Sequence, residues 1–214
     1  MKTLVLLHAL LALTFARAED RPVTVPATDS PNGMFSIRLT RNRAKETEFK
    51  RVERPEVQIV ANADQKVLAR FPYPAGTSSD GKPPHTKVRA QWCPDGTAVA
   101  ISFAERFFTH LVVYRLEGAL TDPKAFVAVR MPDRPSVIQS MVPRFKQFVP
   151  PWQESIRGWS GPNTIEFQAG GTAVVEPVGD GERTVKAVYS FSVDIADIAS
   201  PVIKKVEPAS EGTP

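Results

Sequence analysis

The stretch Gln91-Trp92-Cys93-Pro94-Asp95-Gly96-Thr97-Ala98-Val99-Ala100-Ile101-Ser102-Phe103 (QWCPDGTAVAISF) decides the fold. Pro94-Asp95-Gly96 is turn chemistry, because proline presets φ and glycine accepts positive φ. The residues from Ala98 to Phe103 are rich in β-formers and read as a strand. Trp92 and Cys93 stand immediately before the turn.

The same pattern occurs twice more. Ser30-Pro31-Asn32-Gly33 precedes Met34 to Leu39, and Trp159-Ser160-Gly161-Pro162-Asn163 precedes Thr164 to Phe167. Aligned on the turns, Ser30, Cys93 and Ser160 share one position, and Gly33, Gly96 and Asn163 share another. Trp92 matches Trp159, and the first copy carries Asp29 there. The turns recur 63 and then 67 residues apart, a spacing that predicts repeated supersecondary units.

Each turn strand is followed by a second strand (Val57–Val60, His110–Leu116, Ala187–Ile195) and a third (Lys66–Phe71, Ala125–Met131, Pro201–Val206). Ala63-Asp64, Gly170-Gly171 and Gly179-Asp180-Gly181 read as hairpin signals. The expected fold class is all-β, mostly antiparallel, in units at about 29–72, 88–132 and 156–207 within a single domain spanning 19–207. Residues 72–84 are turn formers and read as a loop. Apolar residues from Val137 to Val149 fall at helical spacing, with Pro135 in the first turn, and predict one short helical insertion at 135–149. Pro143 should kink or break it. Residues 208–214 read as a disordered tail.

Tryptophan, a small residue, Pro, Asp-Gly and an alternating strand resemble the turn motif of β-propeller blades of the TolB-type and WD40-like kind. Trp92 to Gly96 carry the resemblance, and the other two copies are degraded versions. In that family the motif is structural and implies no reaction. The resemblance implies blade-like sheets. A closed propeller has typically four to eight blades, so three longer units are not expected to form a standard closed ring. An open stack, a different antiparallel closure, or completion by another chain remain as alternatives.

The chain's first eighteen residues have the layout of a secretory signal peptide: Lys2, an apolar run from Leu4 to Ala16, and Ala16-Arg17-Ala18 as a small-x-small cleavage site. The expectation is export, periplasmic or secreted, with no transmembrane segment after cleavage. Loss of Lys2 and Arg17 leaves 25 basic and 23 acidic side chains, a net of +2, so charge gives little support for a nucleic-acid partner. With Cys93 as its one cysteine, the chain forms no internal disulfide and is held by its core.

Few residues invite chemistry. Cys93 as a nucleophile needs a base such as His85 or His110, but its place matches serine in the other copies, which marks a small turn residue. Neither histidine has a metal-ligand partner at suitable spacing, and no cofactor motif is present. Asp95, Glu105, Glu154 and Glu166 are available carboxylates that nothing pairs. Phe103, Phe107, Phe108, Phe145, Phe148, Trp152 and Trp159 read as core in preference to a groove.

The most distinctive charged stretch contains Arg38, Arg41, Arg43, Lys45, Lys50, Arg51 and Arg54 in a hairpin of the first unit. It reads either as a contact for an anionic surface or another envelope protein, or as a solvated edge in which interleaved glutamates offset the bases. The functional expectation is an exported, non-enzymatic binding or scaffold module of the cell envelope. The alternative is a hydrolase or carbohydrate-active enzyme using loop carboxylates.

Overall fold

The structure, a computed structural model, describes residues 23–24, 28–40, 56–72, 87–104, 108–175 and 183–212. Among the described residues, twelve strands form three four-stranded antiparallel sheets, each in sequence order and none closed. Sheet A contains β1 (Val23–Thr24), β2 (Phe35–Thr40), β3 (Glu56–Ala61) and β4 (Val67–Pro72). Sheet B contains β5 (Lys87–Trp92), β6 (Ala98–Ala104), β7 (Thr109–Leu116) and β8 (Phe126–Ala128). Sheet C contains β9 (Phe145–Trp159), β10 (Thr164–Val175), β11 (Arg183–Asp194) and β12 (Val202–Gly212). The all-β reading with three repeated units therefore holds, and each of the three sequence turns leads into the second strand of its sheet.

The sheets stack face to face, with sheet B in the middle. Val99, Ile101 and Phe103 on one face of β6 pack with Phe35, Ile37, Val57 and Ile59 of sheet A. Ala98 and Ala100 on the opposite face pack with Ile165, Phe167, Tyr189 and Phe191 of sheet C. Period-two alternation thus supplies both cores from a single strand. The two outer faces are different. Ser36, Arg38 and Gln58 stand on the outer face of sheet A, and Glu166, Gln168 and Ser190 on that of sheet C.

The first two turns are built alike. The Ser30 hydroxyl accepts from Phe35 N at 2.9 Å, and Cys93 Sγ accepts from Ala98 N at 3.0 Å. Asn32 Oδ1 accepts from Met34 N and Asp95 Oδ1 from Thr97 N, both at 3.0 Å. Gly33 and Gly96 have φ of 69° and 73°, which glycine adopts without the Cβ penalty. The third turn is one residue shorter: Ser160 N donates to Thr164 O, where Cys93 N donates to Ala98 O. Its positive φ falls at Gly161 and not at Asn163, which corrects the alignment of Asn163 with Gly33 and Gly96.

Among the described residues one helix, α1, runs from Arg134 to Met141, shorter than the expected 135–149. Asp133 caps it by accepting from Ser136 N at 3.3 Å. It ends before Pro143, whose ring disfavours helical geometry in the residue ahead, and Val142 leaves the helix at φ −128° and ψ 81°. Phe145 to Val149 belong instead to β9. Their helix-like spacing comes from a bulge: Phe145 faces Val175 and Gln147 faces Val174, leaving Lys146 as the extra residue.

Gly170-Gly171, expected to turn a hairpin, lies inside the continuous β10. The β10–β11 pairing runs on past these glycines to Val175 opposite Arg183. The tail also differs from expectation, since β12 continues to Gly212, opposite Lys186.

Candidate functional site

The first strands of sheets B and C border a cleft of about 870 Å³, which also takes in Gln168, Gly170 and Lys186 from the outer face of sheet C. Strands β5 and β6 contribute Arg89, Gln91 and Ser102, and β7 contributes Thr109. Gln153 and Ser155 come from β9, Gln168 and Gly170-Gly171 from β10, and Lys186 from β11. The two glycines let neighbouring strands approach closely. A Cβ on Gly171 would fall 2.8 Å from the Pro151 carbonyl oxygen, beside the cis Pro150-Pro151 bond of β9.

Glu154 also lines this cleft, and it is buried, with 3% of its surface exposed. Arg134, at the start of α1, grips it in a fork: Nε donates to Oε1 at 2.7 Å and Nη2 to Oε2 at 2.6 Å. Leu111 N donates to Oε2 at 2.7 Å, and Trp152 Nε1 to Oε1 at 3.0 Å. Four donors on one carboxylate satisfy the requirement that a buried charge be paired and hydrogen-bonded. The arrangement clamps α1, β7 and β9 together. Glu154 is therefore committed to structure, and it is the one acid among the described residues lining the cleft.

The thiol of Cys93 is buried inside its turn. It donates to Asp95 Oδ1 at 2.9 Å. Burial pushes the thiol above its ordinary range, and the bond to Asp95 adds to the rise, the reverse of what activates a nucleophile. His110 stands opposite Phe103, whereas Ala98, next to the Cys93 turn, stands opposite Arg115 at the other end of the ladder. His85 and Glu105 lie outside the described residues. Among the described residues no group of three His, Cys, Asp or Glu is placed to hold a metal ion, and no helix is long and apolar enough to cross a membrane.

The aromatic residues divide between the two cores. Phe103 meets Phe71 edge-on in the A–B core. Phe145, Phe148 and Trp152 form an edge-to-face series in the B–C core, with ring centroids 5.9 and 5.1 Å apart. Phe108 stacks on His110, and Phe107 lies outside the described residues.

Of the basic stretch, Arg38 is on the outer face of β2. Arg41, Arg43, Lys45, Lys50, Arg51 and Arg54 lie outside the described residues. The strands this stretch joins are antiparallel neighbours, with Thr40 opposite Glu56.

Sequence reasoning did not single out Arg89, Lys186, Gln153 or the Arg134–Glu154 pair. One signal for the pair was present: Trp152, Glu154 and Ile156 alternate on the inward side of a strand, and an acid in that register calls for a buried partner. No protein-family model matches the chain, and no curated protein matches it.

Proposed function

We propose that the chain is an exported, non-catalytic binding module of propeller-like construction that works in the cell envelope. Export rests on the leader-like residues 1–18. The propeller-like reading rests on the repeated turns and the face-to-face order of the sheets. The binding reading rests chiefly on one observation: the carboxylate in the cleft is held by Arg134, Leu111 N and Trp152 Nε1, leaving amides, hydroxyls and cations as the groups offered to a ligand. Hydrolysis by paired carboxylates needs a second acid about 5–9.5 Å away and a free first one. A partner of anionic character, either a surface or an envelope protein, also suits the basic stretch from Arg38 to Arg54.

Two measurements test this. Intact mass of the exported protein should show a chain beginning at Glu19; retention of Leu4 to Ala16 would count against export. A thermal-shift screen of sugars, sugar acids and peptides, followed by product analysis of every hit, should find ligands recovered unchanged. Turnover that Glu154→Gln abolishes would replace the binding reading with a hydrolase.

A further inference from the structure

Four observations about the cleft carry an inference on what it holds, resting on the reading of the chain as a binding module. The first is charge. Arg89 and Lys186 both line it, and among the described residues neither makes a hydrogen bond or an ion pair. Glu154 does not offset them, because its charge is already matched by Arg134. Among its described lining residues the cleft therefore carries an excess positive charge, while the mature chain as a whole is nearly neutral.

The second is the neutral polar lining. Gln91, Gln153, Ser102, Ser155 and Thr109 present amides and hydroxyls, groups that both donate and accept. Such groups suit a ligand bearing many hydroxyls, each of which is likewise both donor and acceptor. The third is what the described lining lacks: its largest apolar side chains are Ile156 and Val188, and no aromatic ring is among the described lining residues. An apolar peptide side chain would find little to bury against. The fourth is size, since about 870 Å³ lies in the upper part of the range usual for small-ligand sites.

We propose that this cleft binds a carboxylated saccharide, a short run of sugar acid units, with Arg89 and Lys186 meeting carboxylates and the glutamine and hydroxyl side chains meeting ring hydroxyls. The guanidinium of Arg89 matches a carboxylate through two parallel N–H···O bonds, and Lys186 contributes a point charge.

The test is isothermal titration of the mature protein with trigalacturonate, its fully methyl-esterified form, inorganic phosphate and a short poly-glutamate peptide. Trigalacturonate should bind. Esterification should weaken binding at least tenfold, and Arg89→Gln and Lys186→Gln should each weaken it about tenfold with an unchanged melting temperature. Raising salt from 0.05 to 0.5 M should weaken the acid and leave the ester unaffected. Equal affinity for acid and ester would overturn the role of charge while leaving a saccharide-binding module. Phosphate binding as tight as the trimer would overturn saccharide recognition in favour of a simple anion site. Preference for poly-glutamate would assign the cleft to acidic peptide, and silence from all four probes would end the proposal. Cleavage of the bound trimer would instead sink the non-catalytic reading and leave the ligand class standing.

Discussion

The indole of Trp92 reaches back one sheet and donates to the Thr28 carbonyl at 2.7 Å. Trp159 does the same one unit later, donating to the Gln91 carbonyl at 3.1 Å. Thr28 stands two residues before Ser30, and Gln91 two residues before Cys93, so both acceptors occupy one position of the repeat. The tryptophan is thus a clasp between successive sheets. Among the described residues no sheet precedes sheet A, and the first copy accordingly carries an exposed Asp29 in place of tryptophan. Asn32 Nδ2 adds a parallel link, donating to Asp95 O at 2.9 Å from the equivalent place in the neighbouring turn.

Trp92→Phe keeps most of the buried ring and removes the donor. The Thr28 carbonyl then loses this donor, at a cost of about 1 kcal/mol. Trp159 is only half-buried, so Trp159→Phe should cost less. Urea unfolding midpoints decide it, and a Trp92→Phe protein as stable as its parent would show that the clasp contributes nothing.

Cys93→Ser should be close to neutral. The Ser30 hydroxyl already makes the same two bonds in the first turn, donating to Asn32 Oδ1 at 2.7 Å and accepting from Phe35 N. Serine at 93 can donate to Asp95 and accept from Ala98 N in the same way. The parent thiol should also resist alkylation at neutral pH, being buried and largely protonated. A destabilisation of several kcal/mol, or rapid labelling of the native protein, would contradict the equivalence of the two turns.

The repeat was legible because its signals are local. Pro-Asn-Gly and Pro-Asp-Gly specify a turn whatever surrounds them, and the alternation after Met34 and within Glu166–Gln168 indicates a strand. The opening strand of sheet C was not legible, since three bulges in β9 disrupt its alternation and put Phe145 and Phe148 on one face at helical spacing. The cleft was hidden for a different reason. Arg89, Gln153 and Lys186 are ordinary polar residues of ordinary strands, and only the crossing of β9 over sheet B brings them together. Glu154 stood among the available acids, but its partner lies 20 residues earlier in another element.

Stability should fall on the alkaline side. Tyr114 stacks on Phe71 with centroids 4.5 Å apart, and burial pushes its hydroxyl up to about 12 from an ordinary 10. The native state keeps this proton while the unfolded chain releases it. The resulting stabilisation is complete below about pH 10 and is lost as the pH climbs from there toward 12. Cys93, also raised, adds loss beginning near pH 9. Tyr114→Phe retains the stacked ring and removes the ionisation, so its melting temperature between pH 9.5 and 11 should fall less steeply than the parent's. Superimposable curves would place the alkaline sensitivity elsewhere.

Arg134→Met should be costly, by about 3–5 kcal/mol, because it strands the buried Glu154 carboxylate without its counter-charge. Adding Glu154→Gln removes the stranded charge and leaves an acceptor for Leu111 N. The double variant should therefore be more stable than Arg134→Met alone. A second change that makes matters worse would mean the pair acts through packing and not through charge.

The glycines of β10 and β9 give the sharpest contrast. A Cβ on Gly170 would overlap the Ala187 carbonyl oxygen and fall 2.7 Å from Val188 Cα. Both neighbours are backbone of β11, so the clash cannot be relieved by turning a side chain, and the β10–β11 ladder must open. Gly158, on β9, has nothing within 4 Å of the same added atom. Gly170→Ala should cost about 3 kcal/mol or more, the upper end of overpacking penalties. Gly158→Ala should be neutral or slightly stabilising, because alanine reduces the freedom of the unfolded chain at no native cost. Gly170 also lines the cleft, so any Gly170→Ala protein that folds should bind cleft ligands more weakly, whereas Gly158→Ala should bind as the parent does. Urea midpoints of the two variants, measured side by side with ligand titrations, check both halves. Equal stability would mean that β10 and β11 do not approach each other as closely at Gly170 as the structure has them.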